Sequence, residues 1–248
     1  MKNVFVALLL AGAACAGARA ADIRVLSAGA VEPGLHAFAQ LVKRETGHDL
    51  KIQFNTAPQI AKRLAGGEVY DILISPPAAV NAAEKDGKVI ANTRAPVGRV
   101  GAGIIVRTGA ATPNVATVDQ LRQAVLGADA VVYNTASTGL YLDSLFAKMG
   151  ILDQVKPKSV RYPNGEAVML HVINSKGSEL GFGAITEIRM FEPKGLKMLG
   201  PLPADVQNYT SYEAVVMTGA PGAEAAAQVL KLLATPAGKA AFVSAGVE

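Results

Sequence analysis

The chain has 248 residues, with 24 Lys and Arg against 20 Asp and Glu, 50% hydrophobic residues and one cysteine. That length supplies one large or two modest domains with real cores, and an 18% charged fraction spread along the chain excludes a disordered, solvated tail. The formal charge of +4 raises nucleic acid as a partner class until its source is located.

Much of that charge lies at the N-terminus. Lys2 gives a positive start, residues 4–14 form an apolar run too short to span a bilayer, and Ala18-Arg19-Ala20 fits a small-x-small cleavage site. The pattern predicts a cleaved export signal over 1–20. Its removal takes away Lys2 and Arg19 and no acid, so the mature chain is nearly neutral and a nucleic-acid partner is not expected. Cys15 also lies within the signal, and Gly12 stands where a lipid-anchor site would carry a large aliphatic residue. The mature chain is then free of cysteine, which excludes disulfides, thiol catalysis and thiolate-held metals. The expected address is the periplasm, for a monomer with no stable membrane insertion.

From Asp22 short apolar strands alternate with helices. Residues 23–26 read as a strand. Pro33 then opens a helix with Leu35, Phe38, Leu41 and Val42 on one face, stopped near Gly47. Strands follow at 50–54 and 70–75, with helices from Pro58 to Gly66-Gly67 and over 78–86. This βαβαβα opening predicts a parallel sheet covered on both faces. A long segment at 97–106 breaks the rhythm. Thr117 and Gln120 form a capping box, then come a strand at 130–133, helices at 138–148 and 166–173, a strand at 180–182 and a short helix at 186–190. A second long strand at 211–217 precedes two proline-opened helices, at 221–234 and 236–245. The fold class is α/β: two lobes joined by two crossovers, lobe 1 comprising 21–98 and 212–248, lobe 2 comprising 99–211. Such a hinge opens and closes a cleft, and ligands of open α/β sheets sit outside the carboxyl ends of the strands.

Four strand-to-helix turns are candidates to line that cleft, because a helix start presents unpaired N–H groups to an anion. They carry Gly29 and Ala30, Thr56 and Ala57, Ser137, Thr138 and Gly139, and Asn164 and Glu166. Each turn is also explained by simple capping. Ser75 ends the third strand and is placed facing the cleft, with Asp71 at the strand's other end. Arg99 lies on the first crossover, where a guanidinium could clamp a carboxylate. Nucleophile-elbow, phosphate-loop and dinucleotide motifs are absent. His36, His48 and His171 lack metal-ligand spacing: His36 and His171 read as partly buried helix residues and His48 as a solvated turn residue. No metal and no cofactor is expected.

Five stretches carry a family resemblance: LSAGAVEPGLHAFAQLVKRETG and FNTAPQIAKRLAGGEVYDILISPP, then YNTASTGLYLDSLFAKMGILDQV, then ELGFGAITEI and TPAGKAAFVSAGV. Together they resemble the periplasmic molybdate-binding proteins of ABC transporters along nearly the whole mature chain. The resemblance implies the type II periplasmic binding fold, an ABC permease as partner and an oxyanion held by hydroxyls and backbone N–H groups. Two hydroxyl positions of the family fall here on Gly29 and near Ala184, whereas Thr56 keeps a hydroxyl. Loss of two donors at roughly 1 kcal/mol each weakens a molybdate site and leaves room for a larger, flatter anion, an organic di- or tricarboxylate. The chain also resembles aconitate isomerase-type relatives. On that reading Glu166 or His171 is the base and Arg99 a carboxylate clamp.

Overall fold

A computed structural model describes residues 20–248; the export signal expected over 1–20, Cys15 included, lies outside the described residues apart from Ala20. The chain opens with β1 (Asp22–Ala28), α1 (Glu32–Thr46), β2 (Asp49–Asn55), α2 (Ala57–Ala65), β3 (Ile72–Ser75) and α3 (Pro77–Lys85). The long β4 (Ala95–Arg107) leads into α4 (Val118–Gly127), β5 (Ala130–Asn134), α5 (Ser137–Lys148) and the short α6 (Leu152–Val155). Then follow β6 (Ser159–Tyr162), α7 (Gly165–Asn174), β7 (Glu179–Ala184), α8 (Ile185–Phe191) and β8 (Leu196–Pro201). The chain returns through β9 (Tyr209–Val216) to α9 (Ala223–Leu233) and α10 (Pro236–Val243).

Local signals explain the elements that flank the site. In α1, Leu35, Phe38, Leu41 and Val42 are buried at helical spacing, and Gly47 closes the helix at φ 75°, a left-handed conformation that costs glycine little. All four residues of β3 are buried, as an interior strand requires. The strands run in the order β2-β1-β3-β9-β4-β7-β5-β6, with β8 added to β4. β1 pairs parallel with β2 and β3, and β5 pairs parallel with β6 and β7. The parallel arrangement expected for the opening therefore holds. The two long strands are different: β9 is antiparallel to both β3 and β4, and β4 is antiparallel to β7 and β8.

Buried apolar side chains form one cluster drawn mainly from 23–100 and 212–247, and two more drawn from 102–202. The returning C-terminus completes the first cluster. Phe242 of α10 packs on Phe38 at 5.6 Å between ring centroids, above Gly34, where any Cβ would meet the Phe242 ring. The β4–β9 register shifts between Pro96 and Gly98, and Arg99 exchanges backbone hydrogen bonds with Glu248 at 2.8 and 2.9 Å.

Three features depart from the sequence reading. β6, β8 and α6 were not expected; all are short, and β6 and β8 sit at sheet edges where half-burial blurs the apolar alternation. His48 is buried, not solvated: its Nδ1 accepts the Ala21 N–H at 3.1 Å and its Nε2 lies 3.4 Å from Gln228 Oε1, so the C-terminal helix α9 covers the turn. His36 is the converse, a mostly exposed side chain set edge-on against Phe54. Among the described residues no helix is long and apolar enough to cross a membrane.

Candidate functional site

The site is assembled from the C-terminal ends of strands. Turns after β1, β2 and β3 face turns after β5, β6 and β7 across a cavity of about 190 Å³. The first set contributes Ala28, Gly29, Ala30 and Glu32, then Phe54, Asn55, Thr56, Ala57 and Gln59, and Pro76. The second contributes Asn134, Ala136, Ser137 and Thr138, then Asn164, Gly165 and Glu166, with Ala184 and Glu187; Tyr212 of β9 completes the wall. The volume is below the roughly 300–1,000 Å³ of drug-sized sites, which suits a small ligand.

Several helices begin at this cavity, and their caps are built from its own lining. The Asn164 side chain accepts the Ala167 N–H at 2.9 Å and so starts α7. Gln59 Oε1 accepts the Thr56 N–H at 2.8 Å at the start of α2. Asn134 Oδ1 accepts the N–H groups of Ala136 and Gly139, both at 3.0 Å, which curls the turn that opens α5. Behind that turn Arg161 donates from Nε and Nη2 to the Asn134 carbonyl, grips Asp143 and stacks on the Tyr133 ring at 4.1 Å. Arg161 thus holds the turn while its charge is matched by Asp143.

Of the residues singled out from the sequence, Gly29, Ala30, Thr56, Ala57, Ser137, Thr138, Asn164, Glu166 and Ala184 line the cavity. Gly139 lies just behind, where a Cβ would collide with the Asn134 carbonyl, so its role is to let the turn close. Ser75 is fully buried at the end of β3 and its hydroxyl has no hydrogen-bond partner; it lies outside the lining, next to Pro76. Asp71 is buried away from the cavity and accepts the N–H groups of Arg24 and Gly222 at 2.8 and 2.7 Å, tying β1 and the start of α9 to β3. Arg99 and His171 also lie outside the lining. Arg99, its side chain exposed on β4, stacks on Tyr209 at 4.3 Å and meets Glu248 at 3.2 Å. His171 is held between Tyr162 Oη at 2.8 Å and Glu179 Oε2 at 2.6 Å, a contact between α7 and the start of β7.

Glu187, in the first turn of α8, is the group that sequence reasoning missed. Its carboxyl lies where the two sets of turns meet: a Cβ on Gly29 would sit 3.1 Å from Oε1, and one on Gly165 would overlap Oε2. Next to it the buried Thr186 hydroxyl donates to the Ala30 carbonyl at 2.5 Å, so α8 fastens one set of turns to the other. Burial pushes the Glu187 carboxyl up to about 7; the charges of Glu32 and Glu166 add to the rise, and a backbone hydrogen bond at Ala184 opposes it. Tyr212 is affected in turn, its phenol raised mainly by burial and then by the Glu187 charge. Among the described lining residues there are three carboxyls and no Lys, Arg or His. Negative charge has no cationic side chain to meet here and is left with backbone N–H groups, hydroxyls, the side-chain amides of Asn55, Gln59, Asn134 and Asn164, and neutral acids. Among the described residues no group of three or more His, Cys, Asp or Glu side chains is placed to hold a metal ion.

Comparison with known proteins agrees with this architecture. Residues 23–248 match the family of bacterial extracellular solute-binding proteins. A curated relative, aconitate isomerase of a Pseudomonas species, is 26% identical over 98% of this chain and 94% of its own. The periplasmic molybdate-binding protein of Azotobacter vinelandii superposes at TM-score 0.75 with 16% identity, covering 91% of this chain and 98% of that one. A sulfate-binding protein of Mycobacterium tuberculosis gives TM-score 0.75 and 14% identity over 92% and 86%. The fold is that of the type II periplasmic binding proteins, and the chain belongs to the bacterial extracellular solute-binding family.

Proposed function

From that family membership and the cavity's make-up, we propose that the protein is a periplasmic carrier that closes its two lobes on a small organic anion, a di- or tricarboxylate, and delivers it to an ABC permease. The observation that carries this reading is the facing of helix starts from both halves of the chain across one small cavity. Their N–H groups, with the hydroxyls of Thr56, Ser137 and Thr138, supply hydrogen bonds to carboxylate oxygens without a countercharge. Gly29 and Ala184 contribute no hydroxyl at the lining, which favours a planar carboxylate over a compact tetrahedral oxyanion. The lobes would divide at 98–99 and 211–212, with β4 and β9 as the hinge.

Thermal shift against citrate, cis- and trans-aconitate, sulfate and molybdate tests the ligand class. The largest shift is expected from a carboxylate; a molybdate shift equal to or above every carboxylate shift sinks that choice.

A second reading is supported by Glu187 together with the aconitate isomerase relative. A carboxyl near 7 can remove a proton from the methylene carbon of trans-aconitate, shift the double bond through an allylic carbanion and return the proton to the other allylic carbon. The base and acid are then one group, and no other reactant is consumed. This moves the base from Glu166 and His171 to Glu187. Incubation with trans-aconitate in heavy water separates the readings. Many cis-aconitate molecules per protein, lost in Glu187→Gln, indicate the isomerase, with retention of the transferred hydrogen against the heavy water marking a single base; stoichiometric binding without conversion indicates the carrier.

A further inference from the structure

Glu187 stands in the wrong charge state for an anion site if it is ionised. It faces Glu32 from α1, Glu166 from α7 and the Tyr212 phenol from β9. The basic side chains nearby are committed elsewhere: His36 lies 3.5 Å from Glu32 with its ring mostly exposed, and Arg189, further along α8, lies against Gly246. The carboxyl lies close over both turns, where a Cβ on Gly29 would come to 3.1 Å from Oε1 and one on Gly165 would overlap Oε2. A ligand carboxylate entering this cavity meets an oxygen that must carry a hydrogen if the contact is to be favourable.

We propose that Glu187 acts as a neutral carboxyl, so that capture of each anion takes up one proton, which Glu187 then donates in a hydrogen bond to the ligand. This rests on the anion reading above and deepens it. The position of Glu187 at the junction of both sets of turns makes the same proton a condition for closing them. Burial and the two facing carboxylates favour the protonated form in the direction the inference requires.

Titration calorimetry with trans-aconitate, citrate, sulfate and molybdate, in two buffers of different ionisation enthalpy, counts the protons. At about pH 8, where all four probes are fully ionised, uptake close to one proton per bound anion is expected. Affinity should weaken by up to tenfold, roughly, for each pH unit above about 7. Glu187→Gln, a permanent neutral donor, should abolish the uptake and bind with an affinity independent of pH. Binding with no proton uptake, or uptake that persists in Glu187→Gln, overturns the inference and leaves the anion reading standing. Binding of none of the four probes overturns both. Should Glu187→Gln fail to fold, Glu32→Gln serves: it removes one facing charge, so the pH at which uptake is half complete must move down, and an unmoved midpoint overturns the inference.

Discussion

Gly165 and Glu187 test the site at the scale of a single methyl group. A Cβ at Gly165 would overlap Glu187 Oε2, and because the Asn164 cap holds the neighbouring turn, the carboxyl is the side that must move off its position in the cavity. Gly165→Ala is expected to weaken binding of the preferred carboxylate at least tenfold by calorimetry; affinity within twofold of wild type would remove the contact from the site. Glu187 also makes stability depend on pH. Its folded-state value of about 7 lies above the ordinary 4.5, so the folded chain keeps a proton that the unfolded chain releases. Stability is therefore lost as pH rises from about 4.5 through about 7, by about 3 kcal/mol at most. Glu187→Gln removes that loss, and thermal melts at about pH 8 should show the variant several degrees above wild type. Melting curves with the same pH slope would refute the assignment. Arg99 gives the contrasting case. Its partners are Tyr209 and Glu248, both half-exposed or more, so Arg99→Ala should leave ligand affinity unchanged within about twofold and cost less than about 1 kcal/mol of stability.

At the scale of elements, helix starts cap the helices and, on the proposed function, also hold the ligand, and the two roles separate experimentally. Asn164 caps α7 through its Oδ1, so Asn164→Ala is expected to cost about 1 kcal/mol and lower the melting temperature by about 2–4 °C. Because the cap also orients the first turn of α7 at the cavity wall, affinity should fall with it. Asn164→Asp keeps the acceptor and should restore stability but not binding, since it adds another charge to a lining already carrying three carboxyls. The capping residues could be read locally, because an Asn or Thr before an apolar-periodic segment has few other uses. β6 and β8 could not, since edge strands of four and six residues carry too little apolar alternation to stand apart from loops.

For the whole molecule, the decisive arrangement is the pair of long strands. β4 and β9 run antiparallel through the middle of one sheet, with parallel strands on either side. A ligand bound at the turns on both sides must stabilise the halves jointly. At a concentration one hundred times its Kd it should add about 2.7 kcal/mol to unfolding and raise the melting temperature by about 5–10 °C. A ligand that binds by calorimetry without raising the melting temperature would show that the two halves do not share it. The fastening of α8 to the β1 turn, by Thr186 on the Ala30 carbonyl, gives a second handle. Thr186→Val keeps the volume and removes the donor, leaving a buried carbonyl unpaired at about 1–3 kcal/mol.

The sequence by itself determined the alternation of strands and helices, the two long strands, the strand-to-helix turns proposed as ligand contacts and the family they resemble. These are short-range properties, set by apolar spacing, prolines at helix starts and glycines at helix ends. Only the tertiary structure decided which turns share a cavity. Eight of the residues chosen from those turns do, and so does Ala184. Arg99 and His171 lie outside: one is exposed on β4 against Tyr209 and Glu248, and a Tyr162–Glu179 pair claims the other. Glu187, Tyr212 and Arg161 carried no local signal at all. An acid in the first turn of a short helix looks like an ordinary favourable charge until the fold buries it against turns 156 residues away, where Thr186 meets Ala30, and places two further carboxylates beside it.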